Sequence, residues 1–124
     1  MNGWLIACRA AVAAVWLYQG LWCKLIAPGS HQAVVGAAVG SDTTTSWLLT
    51  ALGIGEGALA AWVACGWRPF AAATAQTALL VAMNIGGLVL ARAHIADPAG
   101  MVVMNAAFLT LVWMTAREAR RARS

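Results

Sequence analysis

The chain has 124 residues, of which 62% are hydrophobic and only 10% are charged, and its formal net charge is +4. Water-soluble globular domains are about 45–50% apolar and about 25% charged, whereas disordered chains are rich in charge and poor in apolar residues. The composition excludes both classes, and the three cysteines are too few for a disulfide-stapled domain. What remains is one small integral membrane domain, with the lipid bilayer as its surroundings.

Four stretches of the chain are long and apolar enough to cross a bilayer as helices. A spanning helix needs about 20 mostly apolar residues, at a rise of about 1.5 Å per residue. Charged residues, turn formers and polar runs separate four such stretches, at residues 4–26, 46–66, 69–91 and 99–116. We therefore expect a single domain over residues 1–124 with four transmembrane helices.

A shorter apolar segment lies between the first and second spans. Residues 30–40 would make a helix of only about 16 Å, roughly half the thickness of the hydrocarbon, which predicts an interfacial or re-entrant helix. No strand-like alternation is present, and backbone in lipid must satisfy its own hydrogen bonds. The predicted fold is therefore all-α: a membrane-embedded four-helix bundle with a short interfacial helix between the first two spans.

The basic residues predict the orientation of this bundle. An even number of spans places both termini on one side, and positively charged residues favour the cytoplasmic side. Arg9, Arg68 and the basic tail at residues 117–124 fall on one side, against Lys24 and Arg92 on the other. We therefore expect a multi-pass protein of the cytoplasmic membrane with both termini in the cytoplasm. The tail is expected to contact anionic lipid headgroups, and no nucleic-acid partner is expected.

Five polar or charged residues are predicted to form an interior cluster in the outer half of the bundle: Gln19, Lys24, Glu56, Asn84 and Asn105. Such groups are costly in hydrocarbon, so they should face inward and hydrogen-bond across helices. Counted along α-helices, the backbone levels of Lys24 and Glu56 differ by about 12 Å, but their side chains lean toward each other, with Gln19 or a water as a bridge. Two interpretations stay open: a structural lock on helix register, or a polar pocket where the Glu56 carboxyl exchanges protons with a bound small molecule.

Glycines, aromatic residues and cysteines add further predictions. Gly53 and Gly57 have the four-residue spacing that lets membrane helices approach closely, which would place Glu56 against a neighbouring helix. Trp16 and Tyr18 are either stacking residues for a flat ligand such as a quinone or core residues. The cysteines lack the spacing of metal ligands or of a redox dithiol. His31 and His94 could bind a metal with Asp97, but solvated loop histidines are the commoner case, so no metal site is expected and a quinone is the one cofactor left open.

The first two spans carry a specific family resemblance. Residues 16–25 and the glycines around Glu56 resemble the DoxX-like family of small bacterial integral membrane proteins, as do the position of Asn105 and the length of the chain. The resemblance implies a four-helix inner-membrane protein related to subunits named for a thiosulfate:quinone oxidoreductase. Many members look like accessory proteins for redox or thiol-stress enzymes. Lys24 and Glu56 match the charged positions of the family.

Three functions are compatible with these features. The first is an accessory or quinone-interacting subunit, not catalytic alone, that associates with a membrane redox or thiol-stress enzyme. The second is a small transporter or permeability factor that works as a homo-oligomer, because a lone four-helix bundle encloses little volume. The third is a purely structural membrane subunit. The chain lacks recognisable ligands for iron, haem, flavin or a redox dithiol, which argues against an oxidoreductase activity of its own.

Overall fold

A computed structural model describes residues 3–26 and 29–123 of the chain, and these residues contain helices and no strand. In chain order the elements are α1 (Gly3–Leu17), a π-helical segment (Tyr18–Ile26), α2 (Gly29–Val39), α3 (Asp42–Cys65), α4 (Pro69–Leu90), a 3₁₀ turn (Arg92–His94) and α5 (Pro98–Arg123). The predicted all-α fold is confirmed. The short helix expected near residues 30–40 is α2.

The four predicted spans correspond to four long apolar helical stretches, which are Gly3–Leu21, Asp42–Cys65, Pro69–Leu90 and Pro98–Ala122. Large apolar side chains cover the outside of the bundle: Ile54 on α3 is 62% exposed and Val89 on α4 is 74% exposed. In a bilayer these side chains contact acyl chains, so their exposure carries no hydrophobic cost. The protein is therefore a multi-pass membrane protein.

Two helices extend beyond their predicted ends. α3 begins at Asp42 rather than at residue 46, because the Ser41 hydroxyl accepts a hydrogen bond from the Thr44 N–H at 3.3 Å and caps the helix. α5 continues to Arg123, so the basic residues expected to form a tail extend the last span as helix. Alanine, arginine and glutamate favour helix, and Ala119 in this stretch is buried against the bundle.

A tight turn joins α3 to α4. Gly66 ends α3 in the left-handed conformation, with φ +75°, and its N–H donates to the carbonyls of Trp62 and Val63. A side chain at Gly66 would also collide with Arg9, since a Cβ there would lie 2.6 Å from the guanidinium carbon. Pro69 then opens α4, where a missing N–H costs nothing.

The two ends of the bundle differ. We call the end that holds both chain termini the terminal end, and the opposite end, which holds α2, the α2 end. α2 packs against the π-helical segment, α3, α4 and the 3₁₀ turn. The buried apolar core lies between the long helices, at Val12, Ala13, Trp16, Leu59, Ala60, Val63, Ala73, Leu80, Val112 and Ala116.

Candidate functional site

The centre of the candidate site is an ion pair between the first two spans. The Lys24 ammonium nitrogen lies 2.9 Å from Glu56 Oε1 and donates a hydrogen bond to Oε2 at 3.0 Å. Glu56 is fully buried, at 0% exposure, and Lys24 is 7% exposed. Two opposite charges at this distance in a low-dielectric interior attract strongly, but each has lost its hydration. The direct contact needs no bridging water or side chain.

The π-helical segment brings Lys24 to Glu56. A π-helix closes i→i+5 hydrogen bonds, so it holds more residues per turn and rises less per residue than an α-helix. The difference of about 12 Å expected between Lys24 and Glu56 assumed α-helical geometry throughout the first span. The assumption of α-helical geometry is wrong from Tyr18 onward, where the π-helix begins. The smaller rise per residue removes only part of that difference, and the two long side chains, which lean toward each other, span the rest.

Gln19 contributes to the site through its backbone. The Lys24 ammonium donates to the Gln19 carbonyl oxygen at 3.4 Å, and among the described residues no hydrogen bond joins the Gln19 side chain to the ion pair. The lysine thus bonds both to the neighbouring helix and to its own segment. The predicted bridging role of the Gln19 amide is replaced by a carbonyl that supports Lys24.

Gly20 allows the first span to approach α3 at the level of the ion pair. A Cβ at Gly20 would lie 2.8 Å from the Gly53 carbonyl oxygen, 2.9 Å from Glu56 Cβ and 3.2 Å from the Gly57 nitrogen. The close approach predicted from Gly53 and Gly57 is therefore present. Gly20 is a position where a side chain does not fit, whereas a Cβ at Gly57 would meet nothing within 4 Å.

The two predicted asparagines form a separate pair. Asn105 Nδ2 on α5 donates to Asn84 Oδ1 on α4 at 2.9 Å, and Asn84 Nδ2 donates to the Leu80 carbonyl at 2.7 Å. Both asparagines are half-buried. Across residues 3–26 and 29–123 no hydrogen bond joins this pair to Lys24 or Glu56. The structure thus divides the expected cluster into a charged pair and a neutral pair.

The two aromatic candidates lie in different surroundings. Trp16 is buried in the core, donates its indole N–H to Gln76 Oε1 at 2.8 Å and packs edge-on against Phe108, with ring centroids 5.6 Å apart. Tyr18 faces outward and is 57% exposed. The two rings do not form a common stacking surface. Core packing accounts for Trp16, and ligand stacking stays a prediction for Tyr18.

Sequence reasoning missed Gln76 as a buried polar residue. Its side chain is 3% exposed, accepts the hydrogen bond from Trp16 and donates to the Ala72 carbonyl at 3.1 Å. The signal was present, because Gln76 is an amide inside a span without charges. The predicted cluster contained residues at similar depth below the outer ends of the spans, which includes Asn84 but not Gln76.

Two cavities lie away from the ion pair. One, of about 20 Å³, lies at the terminal end beside Arg9, Gln76 and Thr115 and is large enough for about one water molecule. The other, of about 510 Å³, is an open groove on the lipid-facing side of α4 beside Trp113. Neither cavity reaches Lys24 or Glu56. In the part of the chain that the structure describes, no three His, Cys, Asp or Glu side chains converge as metal ligands.

These features define a small α-helical membrane protein with four spans, a short helix at one end and a buried lysine–glutamate ion pair. The sequence model of the DoxX-like family matches residues 13–113, which include both polar pairs. The chain therefore belongs to the DoxX-like family, as its resemblance implied. No curated protein and no solved structure gives a significant match to the chain.

Proposed function

We propose that the protein is an accessory subunit of a membrane redox system, and that the Lys24–Glu56 pair is the centre through which it acts. The observation that carries this proposal is the complete burial of a charged pair inside a membrane bundle. A buried ion pair is often no more stabilising than well-packed apolar residues of the same volume. Charged residues inside spans accordingly mark sites of function more often than sites of packing.

The chemistry of the pair suits a quinone-type headgroup. Lys24 provides an ammonium donor, and Glu56 Oε1 contacts Lys24 but has no hydrogen bond from the described residues. The Lys24 ammonium can donate to the carbonyl oxygen of an oxidised quinone. The Glu56 carboxylate can accept from the hydroxyl of the reduced form. In this proposal the partner enzyme supplies the electrons, while Lys24 and Glu56 hold the headgroup and exchange its protons.

The test compares Glu56→Gln with Glu118→Gln in membranes that also contain the redox partner. Glu56→Gln keeps the shape and an acceptor oxygen but removes the charge, whereas Glu118 lies in the helical extension of α5 at the terminal end, far along the bundle from Lys24. We expect Glu56→Gln to reach wild-type abundance while quinone reduction by the partner falls at least tenfold. Glu118→Gln should retain activity.

Two results would contradict the proposal. Full quinone reduction with Glu56→Gln at normal abundance would leave the ion pair as a structural lock. An equal loss of activity with Glu118→Gln would mean that charge in general, and not this pair, supports the partner.

A further inference from the structure

The π-helical segment is unusual in its length. It runs over nine residues, Tyr18–Ile26, and follows α1 without a break. π-helices are rare and occur mostly as single-turn bulges inside α-helices, because their hydrogen-bond geometry is less favourable. A continuous stretch of about two turns must therefore be held by contacts outside the segment.

Two contacts with α3 and one contact within the segment hold it in this form. Gly20 lies against the backbone of α3, where a Cβ would be 2.8 Å from the Gly53 carbonyl oxygen. Lys24 reaches Glu56 on the same helix at 2.9 Å. The Lys24 ammonium also bonds the Gln19 carbonyl, five residues earlier, at 3.4 Å. All three depend on the angular positions of Gly20 and Lys24 around the first span.

Rewinding the segment as an α-helix would break these contacts together. An α-helix turns about 100° per residue and a π-helix roughly 80°. Lys24 lies seven residues beyond Leu17, the last residue of α1, so rewinding would turn its side chain by roughly 140° about the helix axis. Gly20, three residues beyond Leu17, would turn by roughly 60°. Lys24 would then point away from Glu56.

We propose that residues 18–26 are a two-state switch in helical register and that the Lys24–Glu56 ion pair is its latch. In the π-helical state the pair is closed and Glu56 is buried. In the α-helical state Lys24 leaves α3, and Glu56 becomes open to a molecule that enters between the first and second spans. The idea that the switch admits a ligand to the ion pair rests on the proposed function. The change of helical register itself does not.

α2 is placed to move with the segment. It packs against the π-helical segment and α3, and among the described residues it also contacts α4 and the 3₁₀ turn. In the proposal the long helices α3, α4 and α5 keep their places in both states. The change is confined to one end of the first span and to the short helix beside it.

Distances between spin labels test the switch on the full chain in lipid nanodiscs, without partner or quinone. Cys8, Cys23 and Cys65 are first replaced by alanine. Labels at Ile26→Cys and Ile54→Cys then report the segment relative to α3, since both side chains are exposed, at 66% and 62%. Rewinding would turn residue 26 to the opposite side of its helix, whose diameter is about 10 Å, so its label should move by several ångströms.

We expect one narrow distance between labels 26 and 54 when the latch is intact. Glu56→Gln weakens the latch and should add a second distance that differs by several ångströms, and Lys24→Met should increase that second population further. Asn105→Leu is the matched control, because it breaks the other polar pair and should leave the single distance unchanged. A second label pair, at Trp4→Cys and Ile54→Cys, joins α1 to α3 without the segment, so the distance between these labels should not change.

Three outcomes would overturn the switch. One is a single, wild-type distance between labels 26 and 54 in both latch variants while labels 4 and 54 also stay fixed. Another is movement of both label pairs, which would mean that the ion pair holds the whole bundle. The third is a second distance between labels 26 and 54 in the control variant Asn105→Leu, which leaves the ion pair intact. The two proposals can fail separately. If Glu56→Gln adds the second distance but still supports full quinone reduction, the switch stands and only the proposed function is overturned.

Discussion

Substitution of Gly20 by alanine should destabilise the bundle, because the backbone of the first span lies close to the backbone of α3 at Gly20. The added Cβ would lie 2.8 Å from the Gly53 carbonyl oxygen and 2.9 Å from Glu56 Cβ, where ordinary contacts begin near 3.4 Å. The first neighbour is helix backbone, which cannot rotate away as a side chain can. The two helices must therefore separate by about half an ångström, or the segment must turn.

Overpacking of this kind costs about 1–3 kcal/mol in well-packed interiors. The cost should fall at the upper end of that range, because separating the helices also lengthens the 2.9 Å contact between Lys24 and Glu56. The measurement is reversible unfolding in mixed micelles at increasing fractions of denaturing detergent, followed by far-UV circular dichroism. The quantity compared is the free energy of unfolding relative to the wild type.

Gly57→Ala is the matched control on the facing helix. A Cβ at Gly57 would meet nothing within 4 Å, and alanine is favoured over glycine in a helix interior by about 1 kcal/mol. Gly57→Ala should therefore be neutral or stabilising, and the two glycine substitutions should differ in sign. If Gly20→Ala is also neutral or stabilising, the helices do not meet at backbone distance and the described geometry of the ion pair is wrong.

Four further predictions concern the polar contacts and the topology. Gln76→Leu leaves the Trp16 indole N–H unpaired in the core and should lower the free energy of unfolding by about 1–3 kcal/mol, measured as above. Asn105→Leu should cost only about 0.6 kcal/mol, the average for hydrogen bonds between membrane helices. Lys24→Met and Glu56→Leu should each cost about 3–5 kcal/mol, whereas the double variant should recover most of that loss, and additive losses would contradict this. A C-terminal fluorescent fusion should fold and a C-terminal alkaline phosphatase fusion should be inactive, because the C-terminus is predicted to be cytoplasmic.

The spans were predictable from sequence because lipid leaves the backbone few alternatives to helix. Their ends were less predictable, because side-chain caps decide them. The polar run at residues 41–45 was excluded from the second span, yet Thr45 is buried and its hydroxyl donates to the Ser41 carbonyl at 2.7 Å. The Ser41 hydroxyl, which accepts from the Thr44 N–H, is the cap that lets this polar run form the first turn of a helix.

The π-helical segment could not be predicted, since nothing in residues 18–26 distinguishes it from α-helix. Its register depends on contacts with α3, which is distant in sequence. The sequence still predicted that Lys24 and Glu56 approach each other, because side chains on antiparallel helices lean in opposite directions. The separation of Asn84 and Asn105 from that pair depends on how the helices are rotated about their axes, which depth counting does not give.

Neutral hydrogen bonds join other pairs of helices in the bundle, whereas a charged pair joins the first span to α3. Hydrogen bonds between helices are directional, so together with close packing they fix the register of one membrane helix against another. Neutral bonds of this kind join α1 to α4 and α5 to α4, through Trp16 with Gln76, Asn105 with Asn84, and Trp113 with Thr77. These contacts fix register without burying a charge. A neutral pair could join the first span to α3 in the same way, so fixing the register does not by itself require the two buried charges of the Lys24–Glu56 ion pair.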